Sequence, residues 1–401
     1  MKENFRKKVL KNGLTILFEK RELPVVSIAI AVKCGGMYES ENEKGISHFI
    51  EHMLYKGTSK RTPKQISEEI EKNGGVMNGF TDENVTAFWC KMPSVHLDIG
   101  LDVLIDMMSN SLFDEKEMEK ERKVIFEELK MRKDNPQIYS IDQNMGLIYE
   151  KPFGIPLIGN EKSMNSINRK KIIQRFKEFY HPKNMILCVV GNADFERVVR
   201  FAEKSFGRTD GKPKKFKIKQ KQSSKTEKRK GISQTNIIFS YHTPLYSDKK
   251  SFAAEVLNTL MAQGMSSRLF MEIREKRNLA YAIQGYSQIN KDFSYSMIYV
   301  GTTKENVGKV KKLVLEEFEK VAKNFTERGL NQIKEQLKGT HKISMEDSTN
   351  QMVGLIASEV NGKAEDYYDF GKNVDGVKLK DVIELSKKAA KKHSFFVLIP
   401  G

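Results

Sequence analysis

Within residues 45–57, GISHFIEHMLYKG, three side chains able to do metal and acid–base chemistry share one short helical frame: His48, Glu51 and His52. Imidazoles at i and i+4 lie one turn apart on the same helix face, near enough to hold a single metal ion, with the carboxylate at i+3 beside them. Neutral imidazole nitrogen suits Zn²⁺, and a catalytic zinc takes three protein ligands and keeps a fourth position for water. Glu51 next to that water could act as its general base. Two histidines at this spacing also occur as a polar patch on a surface helix. Here, however, Ile46, Phe49, Ile50, Met53 and Leu54 interleave with the polar triplet, which predicts a largely buried helix whose histidines need partners.

Two histidines leave a zinc site one ligand short. Residues 114–133, DEKEMEKERKVIFEELKMRK, predict a long charged helix with Val124 and Ile125 marking its apolar face. Glu121 and Glu128 fall on that face, whereas Glu127 points elsewhere. A carboxylate on a buried stripe needs a partner, so Glu128 or Glu121 meets both demands.

The elements that must position these groups are readable from periodicity. Leu14–Phe18 and Val25–Val32 predict two strands around a polar turn through Arg21 and Pro24. After the metal helix, Thr62-Pro63 opens a helix that ends near Lys72 at the NGG of 73–75, and Val76 to Met92 predicts a pair of strands. A helix covers Asp98 to Ser109. Pro136, Pro152 and Pro156 predict a loop, followed by a helix from Arg169 to Phe179 and a strand from Met185 to Val190. The far end repeats the order. Thr235–Tyr241 matches the strand Val25–Val32, Phe252–Met261 takes the slot of the metal helix, and Val307–Val321 matches the helix after the strand pair. Val382–Lys391 and Phe395–Ile399 then repeat the closing helix and strand. This predicts two copies of one α+β unit, each a mostly antiparallel sheet packed with helices: residues 1–207 with the metal motif, a basic linker at 208–230, and residues 231–401 without it.

The chain has 401 residues, 39% hydrophobic and 30% charged, enough for two packed domains. No segment approaches the run of about eighteen apolar residues that a membrane span requires, so no membrane partner is expected. Cys34, Cys90 and Cys188 are odd in number and lack CxxC spacing, which reads as reduced core thiols in a cytoplasmic protein. Of the net charge of +17, residues 208–230 hold eleven Lys or Arg against Asp210 and Glu227. One aromatic, Phe216, and no recognised motif argue for a solvated linker over a nucleic-acid tether.

On these motifs the chain resembles the insulinase and pitrilysin type of inverzincin zinc peptidase, which includes mitochondrial processing peptidase and its small bacterial relatives. GISHFIEHMLYKGT is similar to that family's metal helix, and ERKVIFEELK to the segment carrying its third ligand. The resemblance implies that His48, His52 and Glu128 hold one Zn²⁺ per chain, with Glu51 as base and Glu121 supporting the ligands from behind. VMNGFTDENVT is similar to the family's substrate-pairing strand, which makes Asn78, Gly79, Phe80 and Thr81 substrate contacts; Gly79 stands where alanine is usual. GMSSRLFMEIREKRNLAY resembles the family's other functional segment, which implies that Arg274 and Tyr281 reach substrate carbonyl groups. From the residues alone, Arg274 and Arg277 read as helix-surface charges and Tyr281 as core.

The resemblance thus implies a zinc endopeptidase that cleaves extended or unfolded peptides in an enclosed chamber. In many small relatives the zinc motif and the Arg/Tyr pair sit on different polypeptides. Both are present here, which implies a homodimer, with a heterodimer of related chains as the variant. The alternative is a non-catalytic structural or assembly subunit on the same fold, the state of relatives that have lost the metal set.

Overall fold

The computed structural model describes residues 4–207, 211, 213 and 215–401. Arg208, Asp210, Lys212 and Lys214 of the expected basic linker lie outside the described residues. Among the described residues the strands are β1 (Phe5–Val9), β2 (Thr15–Lys20), β3 (Val25–Val32), β4 (Val76–Thr81), β5 (Thr86–Pro93), β6 (Met185–Gly191), β7 (Lys225–Arg229), β8 (Thr235–His242), β9 (Ala280–Ile289), β10 (Ser294–Thr302) and β11 (Ser394–Pro400). They form a six-stranded sheet of order β1-β2-β6-β3-β5-β4 and a five-stranded sheet of order β7-β11-β8-β10-β9. Among the described residues β2/β6 and β7/β11 pair in parallel and the other pairs are antiparallel. This is the expected α+β class with mostly antiparallel sheets.

The first helices follow their sequence signals. α1 (Ile46–Leu54) carries the metal motif. α2 (Pro63–Glu71) opens on a capping box in which the Thr62 hydroxyl accepts the Gln65 N–H and the Gln65 side chain accepts the Thr62 N–H. α3 (Leu97–Asn110) packs on β3 and β5, and α4 (Glu115–Asp134) is the long charged helix. Val124 does not mark the inner face of α4: it is 44% exposed, and Ile125 and Met118 are the buried apolar residues there. Three residues of arc separate Val124 from Glu127, so the two share the outer face.

Two further expectations fail for identifiable reasons. The segment after Pro136 is a helix, α5 (Pro136–Ile148), because proline at the first helical position gives up only an N–H that has no intrahelical partner, and Asn135 caps the next two. Residues 225–229 are a strand rather than linker: β7 adds to the edge of the second sheet, where lysines can leave their charge in water.

The chain folds into two compact units, each assembled from separate stretches: Met1–Leu129, Leu157–Lys217 and Ser344–Tyr368 in one, and Lys130–Pro156, Ile218–Ile343 and Asp369–Gly401 in the other. Each unit therefore takes a helix from the opposite half of the sequence. The helix Ser348–Asn361 covers β3 and β6 of the first sheet, burying Met352, Leu355, Ile356 and Val360 against Leu17, Ala29, Ala31, Ile186 and Cys188. The Ser27 and Ser348 hydroxyls meet across this contact at 2.8 Å, and Lys7 pairs with Glu359 at 2.6 Å. In the second unit α5 covers β8 and β11, with the Ser240 hydroxyl donating to Asn144 Oδ1 at 2.8 Å. Both-sided cover explains why β6 reads as an apolar run and β3 as one interrupted at Ser27, which meets Ser348.

Among the described residues no helix is long and apolar enough to cross a membrane. Cys34, Cys90 and Cys188 are buried free thiols, and burial pushes Cys34 and Cys90 up to about 12, far from reactive thiolate.

Leu355→Ala should cost about 2–5 kcal/mol, as large-to-small changes in a packed core do. Hydrogen exchange locates the loss: amides of β3 and β6 should exchange faster, while those of β8 and β10 keep their protection. Equal acceleration in both sheets would contradict the assignment of this helix to the first unit.

Candidate metal centre

All of the expected metal set lies in the first unit. α1 is amphipathic in the way its spacing predicts: Ile46, Phe49, Ile50, Met53 and Leu54 are buried, and the motif residues occupy the remaining arc. Its entry is fixed by a group that no local pattern announces. The Glu39 carboxylate, fully buried, accepts the N–H of Gly45 at 2.9 Å and of Ser47 at 2.8 Å, serving as the anionic cap that the first turn requires. Lys44, also buried, sits 4.0 Å from Glu39 and 3.5 Å from Glu83 and donates to the Gly36 carbonyl at 2.9 Å. Burial pushes the Glu83 carboxyl up to about 7 against the pull of Lys44.

The two imidazoles stand edge to face with centroids 4.7 Å apart. Glu128, arriving on α4, bridges them: His48 Nε2 is 3.6 Å from one of its oxygens and His52 Nε2 is 3.5 Å from the other. His48, His52 and Glu128 each offer a ligand atom, all within 4.8 Å of one another. Zinc ligands at 2.0–2.2 Å in a tetrahedral site lie about 3.3–3.6 Å apart, so the donor spacing and the N,N,O donor set both fit that ion.

Glu121, one heptad before Glu128, is buried behind His52, its carboxylate 3.0 Å from Nδ1 and 2.8 Å from Lys56 Nζ. A carboxylate on Nδ1 holds the proton there and leaves Nε2 its lone pair, the tautomer a metal needs. Burial lowers the proton affinity of His52, but its bonds to Glu128 and Glu121 outweigh that and raise it overall. Glu127 is exposed on the opposite side of α4. Lys56 lies just past the end of α1 and Lys44 just before its start, so neither shares the helical spacing of the motif, and Glu39 and Glu83 reach α1 only through the fold.

Glu51 lies against β4, the edge strand of its sheet. The Thr81 hydroxyl donates to Glu51 Oε2 at 2.5 Å, and burial raises the Glu51 carboxyl above its ordinary range despite that bond. Of the four strand residues, Asn78 is exposed, with its side-chain oxygen accepting the Gly79 N–H at 2.8 Å, and Gly79, Phe80 and Thr81 are half-buried. A Cβ on Gly79 would stand 2.8 Å from the Tyr55 hydroxyl and 3.3 Å from Glu51 Cγ. The tyrosine thus fills the space an alanine methyl would take, and glycine is the residue that fits.

Arg274 and Tyr281 belong to the second unit. Arg274 lies in the π-helical turn Phe270–Glu275, half-exposed, with its guanidinium 4.7 Å from the Phe270 ring centre. Arg277 is instead tied to Glu272 at 2.6 Å. Tyr281 is not core: it is 43% exposed on β9, the edge strand of the second sheet.

Two family models match, one described as Insulinase (Peptidase family M16) over residues 15–161 and one as Peptidase M16 inactive domain over residues 166–337. An uncharacterized zinc protease of Rickettsia felis is 32% identical over 387 residues, covering 96% of this chain and 92% of its own. One from Bacillus subtilis is 30% identical, covering 85% and 84%. Among solved structures, a protease from Helicobacter pylori superposes with a TM-score of 0.91 at 23% identity, over 99% of both chains. A peptidase M16 inactive domain from Pseudomonas fluorescens gives 0.89 at 19%, over 99% and 98%. Identities this low speak for the fold alone. The two family models and the relatives at 30% identity or more decide the descent: the chain belongs to the insulinase family of peptidases, family M16.

Proposed function

We propose that the protein is a zinc endopeptidase acting on extended peptides, with one Zn²⁺ per chain held by His48, His52 and Glu128. The observation that carries this is the joint geometry of the motif: three donor atoms at ligand spacing, with Glu51 beside them and Glu121 on the far nitrogen of His52. Held by His48, His52 and Glu128, a Zn²⁺ ion would supply Lewis acidity and make water more acidic at this site. Glu51 takes the proton of the attacking water and hands it to the leaving amide nitrogen, and its raised proton affinity suits a group that must both accept and donate. Thr81 holds the second end of that carboxylate, so its rotation is limited while it shuttles the proton.

Substrate adds as a strand on the open edge of β4, so backbone hydrogen bonds through Asn78–Thr81 supply affinity while side-chain selectivity stays loose. Arg274 and Tyr281 align the peptide and stabilise the oxyanion. The buried free thiols support a cytoplasmic setting. Because the chain carries both the zinc set and the Arg/Tyr set, a homodimer is self-sufficient.

Glu51→Gln should keep near-stoichiometric zinc by metal analysis while losing roughly 10² to 10⁴ in peptide turnover. Loss of zinc along with activity would make Glu51 a ligand and overturn its role as base.

The three α4 glutamates should separate cleanly. Glu128→Gln should release zinc on dialysis; Glu127→Gln should bind metal and cleave peptide as wild type does. Glu121→Gln should weaken metal binding by about 10–100-fold, the effect of losing a partner behind a ligand histidine. A metal-sensitive Glu127 would contradict the ligand assignment.

Mixing distinguishes where a working site comes from. Glu51→Gln chains combined with Arg274→Ala/Tyr281→Phe chains under subunit exchange should regain about a quarter of wild-type activity if each site draws on two chains. Persistent inactivity despite demonstrated exchange would assign both sets to one chain.

A further inference from the structure

Tyr281 is held by features of the second sheet that the resemblance does not account for. β9 and β10 pair residue for residue up to Ala282 opposite Gly301, and then Thr302 faces Ala280. Tyr281 is the residue skipped, the extra member of a β-bulge, a device that re-aims a side chain at a sheet edge. Its ring lies over Gly301: a Cβ there would stand 2.3 Å from Cζ and 2.5 Å from the hydroxyl oxygen. Glycine is therefore the residue that lets the ring lie flat on β10.

The ring is also pinned at its tip. The Tyr281 hydroxyl is 3.1 Å from that of Tyr299, a residue of β10 only 3% exposed, and Tyr299 donates to Asn236 Oδ1 on β8 at 2.8 Å. Asn236 Nδ2 donates to the Gln234 carbonyl at 3.3 Å, which turns the amide oxygen towards Tyr299. A hydroxyl has one proton, and that of Tyr299 goes to Asn236. Tyr299 can then only accept from Tyr281, so the chain of bonds runs inward from an exposed phenol to a buried amide.

The geometry points to Tyr299, backed by Asn236 and seated with Gly301, as the positioning residue for Tyr281. It parks the Tyr281 proton and fixes the oxygen, so that a substrate carbonyl can be served by rotation about the C–O bond alone while the ring stays in place. This rests on the proposed role of Tyr281 as a substrate-contacting group, and the experiment separates the two.

The test is a double-mutant cycle on peptide cleavage by the zinc-loaded protein, with zinc content and far-UV circular dichroism as controls. Tyr281→Phe should lower kcat/KM. Tyr299→Phe in the wild-type background should lower it by about threefold to tenfold, the worth of one hydrogen bond. In the Tyr281→Phe background Tyr299→Phe should change it by less than about twofold, since nothing is left to position. Gly301→Ala, which attacks the seat rather than the tip, should lower kcat/KM to the level of Tyr281→Phe with zinc retained, and it stands in for Tyr299→Phe if that variant fails to fold. Equal losses from Tyr299→Phe in both backgrounds, or none in either, or a fully active Gly301→Ala, would overturn the positioning role and leave Tyr281 as proposed. A fully active Tyr281→Phe would overturn both.

Discussion

A fully buried carboxylate, Glu39, caps the first turn of α1, and the placement of every group at the candidate centre follows from it. Taking a charge out of water costs several kcal/mol, so such a group persists only where geometry and hydrogen bonds offset the penalty. Two amide N–H groups, the positive end of a helix dipole and the Lys44 ammonium together do so here. Lys44 in turn needs Glu83 and the Gly36 carbonyl. Removing one member of a buried ionic cluster typically costs 3–5 kcal/mol, because it strands the others, and so the helix can start in one place only. From that start the chain direction alone puts His48, Glu51 and His52 where α4 and β4 meet them.

The centre is built from three elements that do different jobs. α1 carries His48, His52 and Glu51, α4 brings the Glu128 carboxylate to both imidazoles and, a heptad earlier, Glu121 to His52 Nδ1, and β4 restrains Glu51 through Thr81. Placing Glu128 and Glu121 on one helix couples them: a rotation of α4 that spoiled the Glu128 distances would also pull Glu121 from His52. Glu51 is restrained by a different element, so its carboxylate is held independently of the contacts that α4 makes with the two imidazoles.

Much of this was legible in the sequence, and the limits have physical causes. The metal helix, the split between inward Glu121 and Glu128 and outward Glu127, and the duplicated order of strands and helices all rest on periodicities of 2 and 3.6, which are local. Val124 misled because an apolar side chain on the outer face of a charged helix looks like a core residue. Pro136 misled because proline breaks helices in their interior and begins them at their first position. Glu39, Lys44, Glu83, Tyr299 and Asn236 carry no spacing signal, since each acquires its role from a partner outside its own element. The exchange of covering helices between the two units was equally hidden, because periodicity tells which face of a helix is apolar and not which sheet will bury it.

That exchange has a consequence for synthesis. A ribosome releases residues in order, and β3 and β6, with their apolar faces, emerge long before the helix Ser348–Asn361 that covers them. The first unit cannot close when its own sheet is complete; it waits while residues 192–361 are translated, about ten seconds or more at 5–20 residues per second. During that interval an apolar sheet surface is open to water and to other nascent chains. A truncation from the C-terminal side that reaches this helix, though far in sequence from His48, His52 and Glu128, removes the cover of the unit that contains them.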